Sequence, residues 1–449
     1  MADWRRRLTS RPAPLILASF IVVILIGTLL LMLPISTQSG EWTPFLDALF
    51  TSTSLTCVTG LVLYDTATYW SFFGQLVILA LMEVGGLGVI TFATGISILF
   101  GRRLSLKQRW LMQESVALPQ AGGILAHTRA IIKVSAIIQL AGAALLAVRF
   151  VPLFGWGYGL WVSLFTSVSA FTGGAVDLMG TIEPSSSLTY FIDDAYLVLV
   201  VSALIIVGGI GFLTWIDVRR HGLRLKEYTL QSKIVLVTTA VLLAGGFLFF
   251  YLYEFSLPQW EWLTPRERLI AAWFQAVVPR TTGFTVVDLA QMSEAGLAVT
   301  AILMFIGCSP GSTCGGIKVT TLAVLTVTAV SVFRGKRHAE CFGRRIPTKT
   351  QRASVGVLML YLAVLATASL LVTCIDGVPL LEATFECTSA LSTTGLSLGV
   401  TGELSAAGLV ILMALMFIGR AGGLTMMYAL VEREDPYKAK YAQESVAVG

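Results

Sequence analysis

The chain has 449 residues, 55% hydrophobic and only 13% charged, with 31 Lys and Arg against 26 Asp and Glu for a net charge of +5. A soluble protein carries about 25% charged residues to keep its surface wet, and disorder needs low hydrophobicity. A mean hydropathy of +0.80 excludes both and identifies a chain that crosses a membrane several times.

Eight apolar runs follow one another at 14–34, 72–100, 130–150, 193–216, 234–254, 291–333, 353–375 and 406–430. The first lies behind Arg5, Arg6 and Arg7 and is not followed by an A-x-A cleavage site. It is long enough for a hydrocarbon core of roughly 30 Å, so it is expected to be a transmembrane helix and not a signal peptide. Arg102, Arg103, Lys107 and Arg109 follow the second run, and Arg219, Arg220, Arg224 and Lys226 follow the fourth. Arg334, Lys336, Arg337, Arg344, Arg345 and Lys349 follow the sixth. Such basic loops stay inside, so both termini are expected in the cytoplasm, with the chain multi-pass in the cell's inner (plasma) membrane.

The outward-facing segments repeat. They read FTSTSLTCVTGL (50–61), FTSVSAFTGGAV (165–176), FQAVVPRTTGF (274–284) and FECTSALSTTGL (385–396). Their final small residues, near 60, 175, 283 and 395, are separated by 115, 108 and 112 residues. The run after each has its own motif: EVGGLG (83–88), IVGGIG (206–211), FIGCSPGST (305–313) and FIGRAGGLT (417–425). A long fixed period marks an internal repeat. The expected fold is an all-α membrane protein of eight transmembrane helices, built from four units of span, pore half-helix, extended turn and span. These units are 1–110, 111–225, 226–345 (with a broken helix) and 346–449 (with the C-terminal tail), set with pseudo-fourfold symmetry around a central pore.

Non-helical backbone at membrane depth is tolerated only when buried in protein or lining a wet cavity. A half-helix ending at such a turn aims its negative C-terminal end there, and extended carbonyls can replace the hydration shell of a cation. Ser and Thr add oxygen without charge, and no carboxylate stands close before any of the four turn positions. The pattern points to a monovalent cation and away from a divalent one.

These residues resemble the Trk/Ktr/HKT superfamily of potassium transporters, and within it the KtrB type of membrane subunit. The resemblance covers nearly the whole chain; its most specific parts are CVTGL (57–61), GCSPGSTCGGIK (307–318), FIGRAGGLT (417–425) and the ending KYAQESVAVG. It implies a channel-like K⁺ transporter whose ion selectivity filter includes Val58, Thr59 and Gly60. Arg280, Thr281, Thr282 and Gly283 match the third filter segment, and Ser392, Thr393, Thr394 and Gly395 the fourth. The second segment departs from the family's Asn-Asn-Ala-Gly pattern, reading Thr172-Gly173-Gly174-Ala175. Either Ala175 takes the glycine site or the turn slips so that Gly174 does. In plant relatives a Ser at a filter Gly accompanies sodium transport, so the alternative is a sodium-permeable relative, with Na⁺ beside K⁺ as a carried or coupled ion.

The sixth run is interrupted by Gly307-Cys308-Ser309-Pro310-Gly311-Ser312-Thr313-Cys314-Gly315-Gly316. Glycine costs about 1 kcal/mol and proline about 3 in a helix, so no regular helix is expected there, and broken membrane helices tend to border transport paths. The resemblance implies that this loop is a gate below the filter, with Lys318 at its inner end. Arg420 lies mid-span and aligns with Cys308; an intramembrane arginine marks function by default. It is expected at the axis as an electrostatic barrier held by gate-loop carbonyls, the bland alternative being pairing with a carboxylate. Glu83 is a second embedded charge with three open roles: a basic partner, a protonated state or a subunit contact.

No enzyme is expected. Asp193 and Asp194 are adjacent and do not face each other, and no Ser with His or Lys is set for catalysis within the spans. The six cysteines lack CxxC pairs, and His127, His221 and His338 are too scattered for a local metal motif. No phosphate-cradling loop is present, and no nucleic acid is expected as a partner. The resemblance implies a homodimer on a cytoplasmic ring of nucleotide-binding KtrA-type subunits. The basic loops 102–109, 219–226 and 334–349 would either dock that ring or meet anionic membrane lipids.

Overall fold

The computed structural model describes residues 12–89, 91, 124–183, 186–222 and 224–422. The basic loop 102–109 and the KYAQESVAVG ending lie outside these residues. The first segment holds α1 (Pro12–Met32), α2 (Phe45–Thr56) and α3 (Phe72–Leu87). The second holds α4 (Ile124–Phe154), α5 (Trp156–Thr172), α6 (Ala195–Ile210) and α7 (Phe212–His221). In the third are α8 (Leu230–Leu252), α9 (Pro265–Val277), α10 (Glu294–Phe305) and α11 (Val319–Phe333), and in the fourth α12 (Thr348–Asp376), α13 (Leu380–Ser392) and α14 (Ala406–Ala421). A small antiparallel hairpin, β1 (Glu340–Cys341) with β2 (Arg344–Arg345), folds the basic loop between α11 and α12.

Among the described residues four helices are long and apolar enough to cross a membrane: Pro14–Met32, Thr128–Phe154, Leu230–Ser256 and Thr348–Asp376. Only 28–33% of each apolar window is buried, and Leu29, Val148, Val241 and Leu370 on these helices are more than half exposed. Such faces suit lipid. The remaining apolar runs divide differently from the sequence expectation. The helix in 72–100 stops at Gly88 (φ 85°) and that in 406–430 at Gly422 (φ 82°), while α6 and α7 meet at Gly211 in a bend of 95°. The run 291–333 is non-helical over 306–318. The break expected in the sixth run alone thus has counterparts in the other three segments, because each motif carries a glycine (Gly88, Gly211, Gly422) that takes positive φ without a Cβ clash. By length and composition the described residues hold four spans, or five with the bent pair counted as one, where eight apolar runs were expected.

Local signals set the helix starts. Ser71, Ser293 and Ser405 each accept the N–H of a glycine three residues on, at 3.2, 3.0 and 3.3 Å, capping α3, α10 and α14. Asp194 caps α6 and pairs with Arg149 at 2.8 Å; it is a structural carboxylate and not half of a dyad. Thr264 and Glu267 form a capping box at the start of α9.

The shorter helices α2, α5, α9 and α13 lie inside. Their corresponding Phe50, Phe165, Phe274 and Phe385 are all at most 1% exposed. Polar contacts hold them as well, as expected where lipid supplies no hydrophobic drive between helices. Ser52 donates to the Ile24 carbonyl at 2.7 Å, and Ser167 donates to that of Gln139 at 2.7 Å. Both donors and both acceptors are 115 residues apart, the same interval that separates Gly60 from Ala175. One apolar cluster runs from α1 through the third segment, and a second joins Cys387, Leu391 and Leu412 to Ile24, Phe50 and Leu61. The last segment therefore packs back on the first.

Candidate functional site: four turns and a loop beneath them

The four short helices end in turns that meet. A Cβ on Gly60 would fall on the Ala175 methyl and within 2.6 Å of the Gly174 carbonyl. One on Gly173 would lie 2.6 Å from the Thr281 carbonyl, and one on Gly283 would lie 2.6 Å from that of Gly395. Gly395 returns to the first turn, against the Thr59 carbonyl. First to second, second to third, third to fourth and fourth to first, the contacts close a ring.

The turns share a backbone pattern. Val58, Gly173, Thr281 and Thr393 all have positive φ, of 58°, 83°, 83° and 54°. Two residues on, Gly60 and Gly395 have φ of 87° and 89°, and Ala175 stands in the same place at 56°. The open question in the second segment is thereby answered: Ala175 takes the glycine site and Gly174 does not. Thr172 is not part of the extended turn. It ends α5, with its hydroxyl on the Val168 carbonyl at 2.8 Å. The Thr59, Gly174 and Thr394 amides donate to the carbonyls of Ser54, Ser169 and Ser389 at 2.7, 2.9 and 2.9 Å.

Those three serines were not singled out from the sequence. The Ser54 hydroxyl accepts the Gly60 N–H and the Ser389 hydroxyl that of Gly395, both at 3.0 Å. In the second turn Ser169 instead accepts from Val176, one residue later, at 3.0 Å. The third turn has Val277 at this position and no hydroxyl. Glu386 was also missed. Fully buried on α13, it accepts from Ser397 (2.6 Å), Leu398 N (2.9 Å) and Thr401 (2.8 Å), fixing the chain that leaves Gly395. Arg280 turns away from the ring, its side chain buried and donating to Thr239 at 3.2 Å.

Residues 306–318 pass beneath the ring. The Ser309 hydroxyl and N–H both donate to the Gly209 carbonyl, at 3.0 and 3.2 Å. Phe212 N–H donates to Gly311 at 2.8 Å. Thr313 donates to the Phe171 carbonyl at 3.2 Å, and Gly315 N–H to the Thr393 hydroxyl at 2.9 Å. Lys318 is half-buried, and its ammonium donates to the Cys314 and Gly315 carbonyls at 2.6 and 3.2 Å. The loop is thus tied to the second and fourth turns and to the bend at Gly211.

Arg420, on α14, donates to the carbonyls of Thr313, Gly85 and Gly86, the last at 3.1 Å. Among the described residues its guanidinium has no ion pair with a carboxylate. Glu83 has no basic partner there either; it accepts from Gln139 at 2.8 Å. All six cysteines are free. The arrangement offers carbonyls and neutral hydroxyls at the ring, the negative ends of four helices aimed at it, and two cations below, Lys318 and Arg420.

Comparison with known proteins follows the same lines. Residues 6–437 match the family model TrkH, described as a cation transport protein. The chain is 39% identical to the potassium/sodium uptake protein NtpJ of Enterococcus hirae over 99% of this chain and 98% of that one. It is 38% identical to the Ktr system potassium uptake protein B of Bacillus subtilis, covering 94% of each. A crystal structure of the potassium transporter TrkH from Vibrio parahaemolyticus has the same fold, with a TM-score of 0.71 at 19% identity over 92% of this chain and 84% of that one.

Proposed function

The chain belongs to the TrkH family of cation transport proteins; it is a Ktr/TrkH-type uptake transporter in a membrane and not an enzyme, and from that premise we propose how it carries its ion. K⁺ passes down the axis of the four turns, coordinated by carbonyls of Val58-Thr59-Gly60, Gly173-Gly174-Ala175, Thr281-Thr282-Gly283 and Thr393-Thr394-Gly395. Residues 307–316 with Arg420 form the gate below. The observation that carries this is the closed ring of contacts from Gly60 through Ala175 and Gly283 to Gly395.

The four units 1–110, 111–225, 226–345 and 346–449 contribute two spans each, so that eight spans surround the axis and both termini are cytoplasmic. The protein works as a homodimer on a cytoplasmic nucleotide-binding ring; relatives named as proteins of a Ktr system support its working with other components. Potassium-uptake complementation in a transport-deficient bacterium, with and without a KtrA-type subunit, tests the proposal. Growth at low K⁺ is expected; no uptake under any ionic condition, with the protein correctly in the membrane, would overturn it.

A second reading is favoured by one position. Ala175 adds a methyl where Gly60 and Gly395 have none, and a relative is named for potassium and sodium uptake. On this reading Na⁺ passes or is coupled as well. Uptake of K⁺ against Na⁺ separates the two.

A further inference from the structure

Residues 334–349, between α11 and α12, hold Arg334, Lys336, Arg337, Arg344, Arg345 and Lys349 against a single acid, Glu340. All seven side chains are exposed, and none takes part in an ion pair among the described residues. β1 and β2 set Glu340 opposite Arg345 and Cys341 opposite Arg344, and the chain turns at Phe342 and Gly343 with φ of 50° and 71°. The base of this hairpin is pinned. Ala339 and Ile346 are buried against Val324 and Val327 of α11, and the Ile346 N–H donates to the Ala339 carbonyl at 2.9 Å. α12 starts three residues after Arg345 and runs for 29 residues. At about 1.5 Å per residue it is about 43 Å long, the thickness of a bilayer with both headgroup layers, about 40–45 Å. Its first turn and the hairpin beside it therefore lie at headgroup level. Apolar side chains stand out there too: Val332 and Phe333 at the end of α11 are 69% and 90% exposed, and Phe342 at the hairpin tip is 50% exposed.

We propose that this hairpin is a binding site for anionic phospholipid headgroups of the membrane that the chain spans. Unpaired Lys and Arg beside exposed Phe is the composition of a surface that meets acidic headgroups and acyl chains together. Arg337, Arg344 and Arg345 offer planar forks that suit a phosphate. Phe333 and Phe342 occupy the boundary between headgroups and acyl chains, where aromatic rings are favoured. Each Lys or Arg held near an anionic surface strengthens the attachment by about fivefold. An acidic protein surface meets the charges equally well; the depth set by α12 and the outward Phe333 favour lipid. The site does not depend on which ion the chain carries.

The test uses the full-length protein in proteoliposomes of mixed phosphatidylcholine and phosphatidylglycerol, with a trace of a photoactivatable analogue of one or the other. Cross-linked peptides are located by mass spectrometry. Within 330–349 the phosphatidylglycerol analogue should label at least about tenfold more than the phosphatidylcholine analogue. That preference should shrink between about 0.1 M and about 1 M salt, as the screening length falls from about 10 to about 3 Å. Arg337→Gln/Arg344→Gln/Arg345→Gln should lower labelling by phosphatidylglycerol at least about tenfold. Equal labelling by the two analogues, or unchanged labelling in the triple variant, overturns the site. Should the triple variant fail to fold, the salt series on the parent decides, because a preference that salt does not move is equally fatal. If the triple variant loses a KtrA-type ring in co-sedimentation while its lipid labelling is unchanged, the hairpin is a protein dock and the lipid site is overturned.

Discussion

Arg420 donates a hydrogen bond to the carbonyl of Thr313, tying the end of α14 to the loop beneath the four turns. The same guanidinium reaches Gly85 and Gly86 at the end of α3. A charged hydrogen bond contributes roughly 1.5–3 kcal/mol, so losing one such tie shifts the loop's equilibrium by about tenfold or more. Arg420→Ala should raise rubidium flux in proteoliposomes by that order, having removed both the tie and the cation. Arg420→Lys keeps the charge but has no planar fork to span both sets of carbonyls, and should fall between. Flux unchanged or lowered in well-folded Arg420→Ala would defeat the gate assignment.

Ser54 and Ser389 each hold the N–H of the glycine that completes their turn. Removing the hydroxyl leaves a buried amide without its partner, a cost of about 1–3 kcal/mol, and frees the peptide to rotate its carbonyl from the axis. Ser54→Ala and Ser389→Ala should each reduce the preference for K⁺ over Na⁺. Ser169→Ala should act less, since its hydroxyl holds Val176 and not the residue in the ring. Competitive uptake of the two ions by the three variants checks the order; equal selectivity throughout would refute it.

Much of this architecture could be read from the residues. The four aligned phenylalanines are the buried anchors of the short helices, and the Gly-Cys-Ser-Pro-Gly stretch is non-helical as its composition demands. Three things could not be read. The breaks at Gly88, Gly211 and Gly422 lie inside continuous apolar runs without proline, so hydropathy passes straight over them. Ser54, Ser169 and Ser389 are hidden among neighbouring hydroxyl residues, and only the fold says which one meets an amide. The gate-loop carbonyl of Thr313 is the kind of partner expected for Arg420, but the carbonyls of Gly85 and Gly86 are not, and an acceptor that every residue carries leaves no mark in a sequence.

Ala175 holds φ of 56° where its counterparts are glycine at 87° and 89°. An L-residue there costs about 1–2 kcal/mol. Ala175→Gly relieves that strain but gives back roughly 0.4–1 kcal/mol of unfolded-chain entropy. Stability should therefore rise by no more than about 1.6 kcal/mol, while the methyl beside Gly60 and Gly395 is gone. The ratio of K⁺ to Na⁺ uptake should rise. A ratio identical to that of the parent would show that the alanine has no part in selectivity.

Asp177 lies two residues beyond Ala175, in the segment that leaves the second turn. Its carboxylate accepts the Met179 N–H at 2.9 Å. Burial pushes its pKa up from 3.8 to about 6; hydrogen bonds from Met179 and Ser187 oppose the rise, and the nearby Asp65 carboxylate adds to it. A raised acid pKa means that the folded protein keeps the proton longer than the unfolded chain. Its effect on stability is thus a loss as pH climbs from 3.8 through about 6, and none further above. For uptake the sign is opposite: the group is neutral at low pH and becomes negative above about 6, where it attracts cations to the ring. A unit charge in water contributes at most about 1 kcal/mol even at contact distance, so uptake at limiting K⁺ should rise by up to about fivefold between the two limbs, with its midpoint near the value for Asp177. Asp177→Asn should flatten the profile at the low-pH rate. A profile with the same midpoint in that variant would assign the pH dependence to another group.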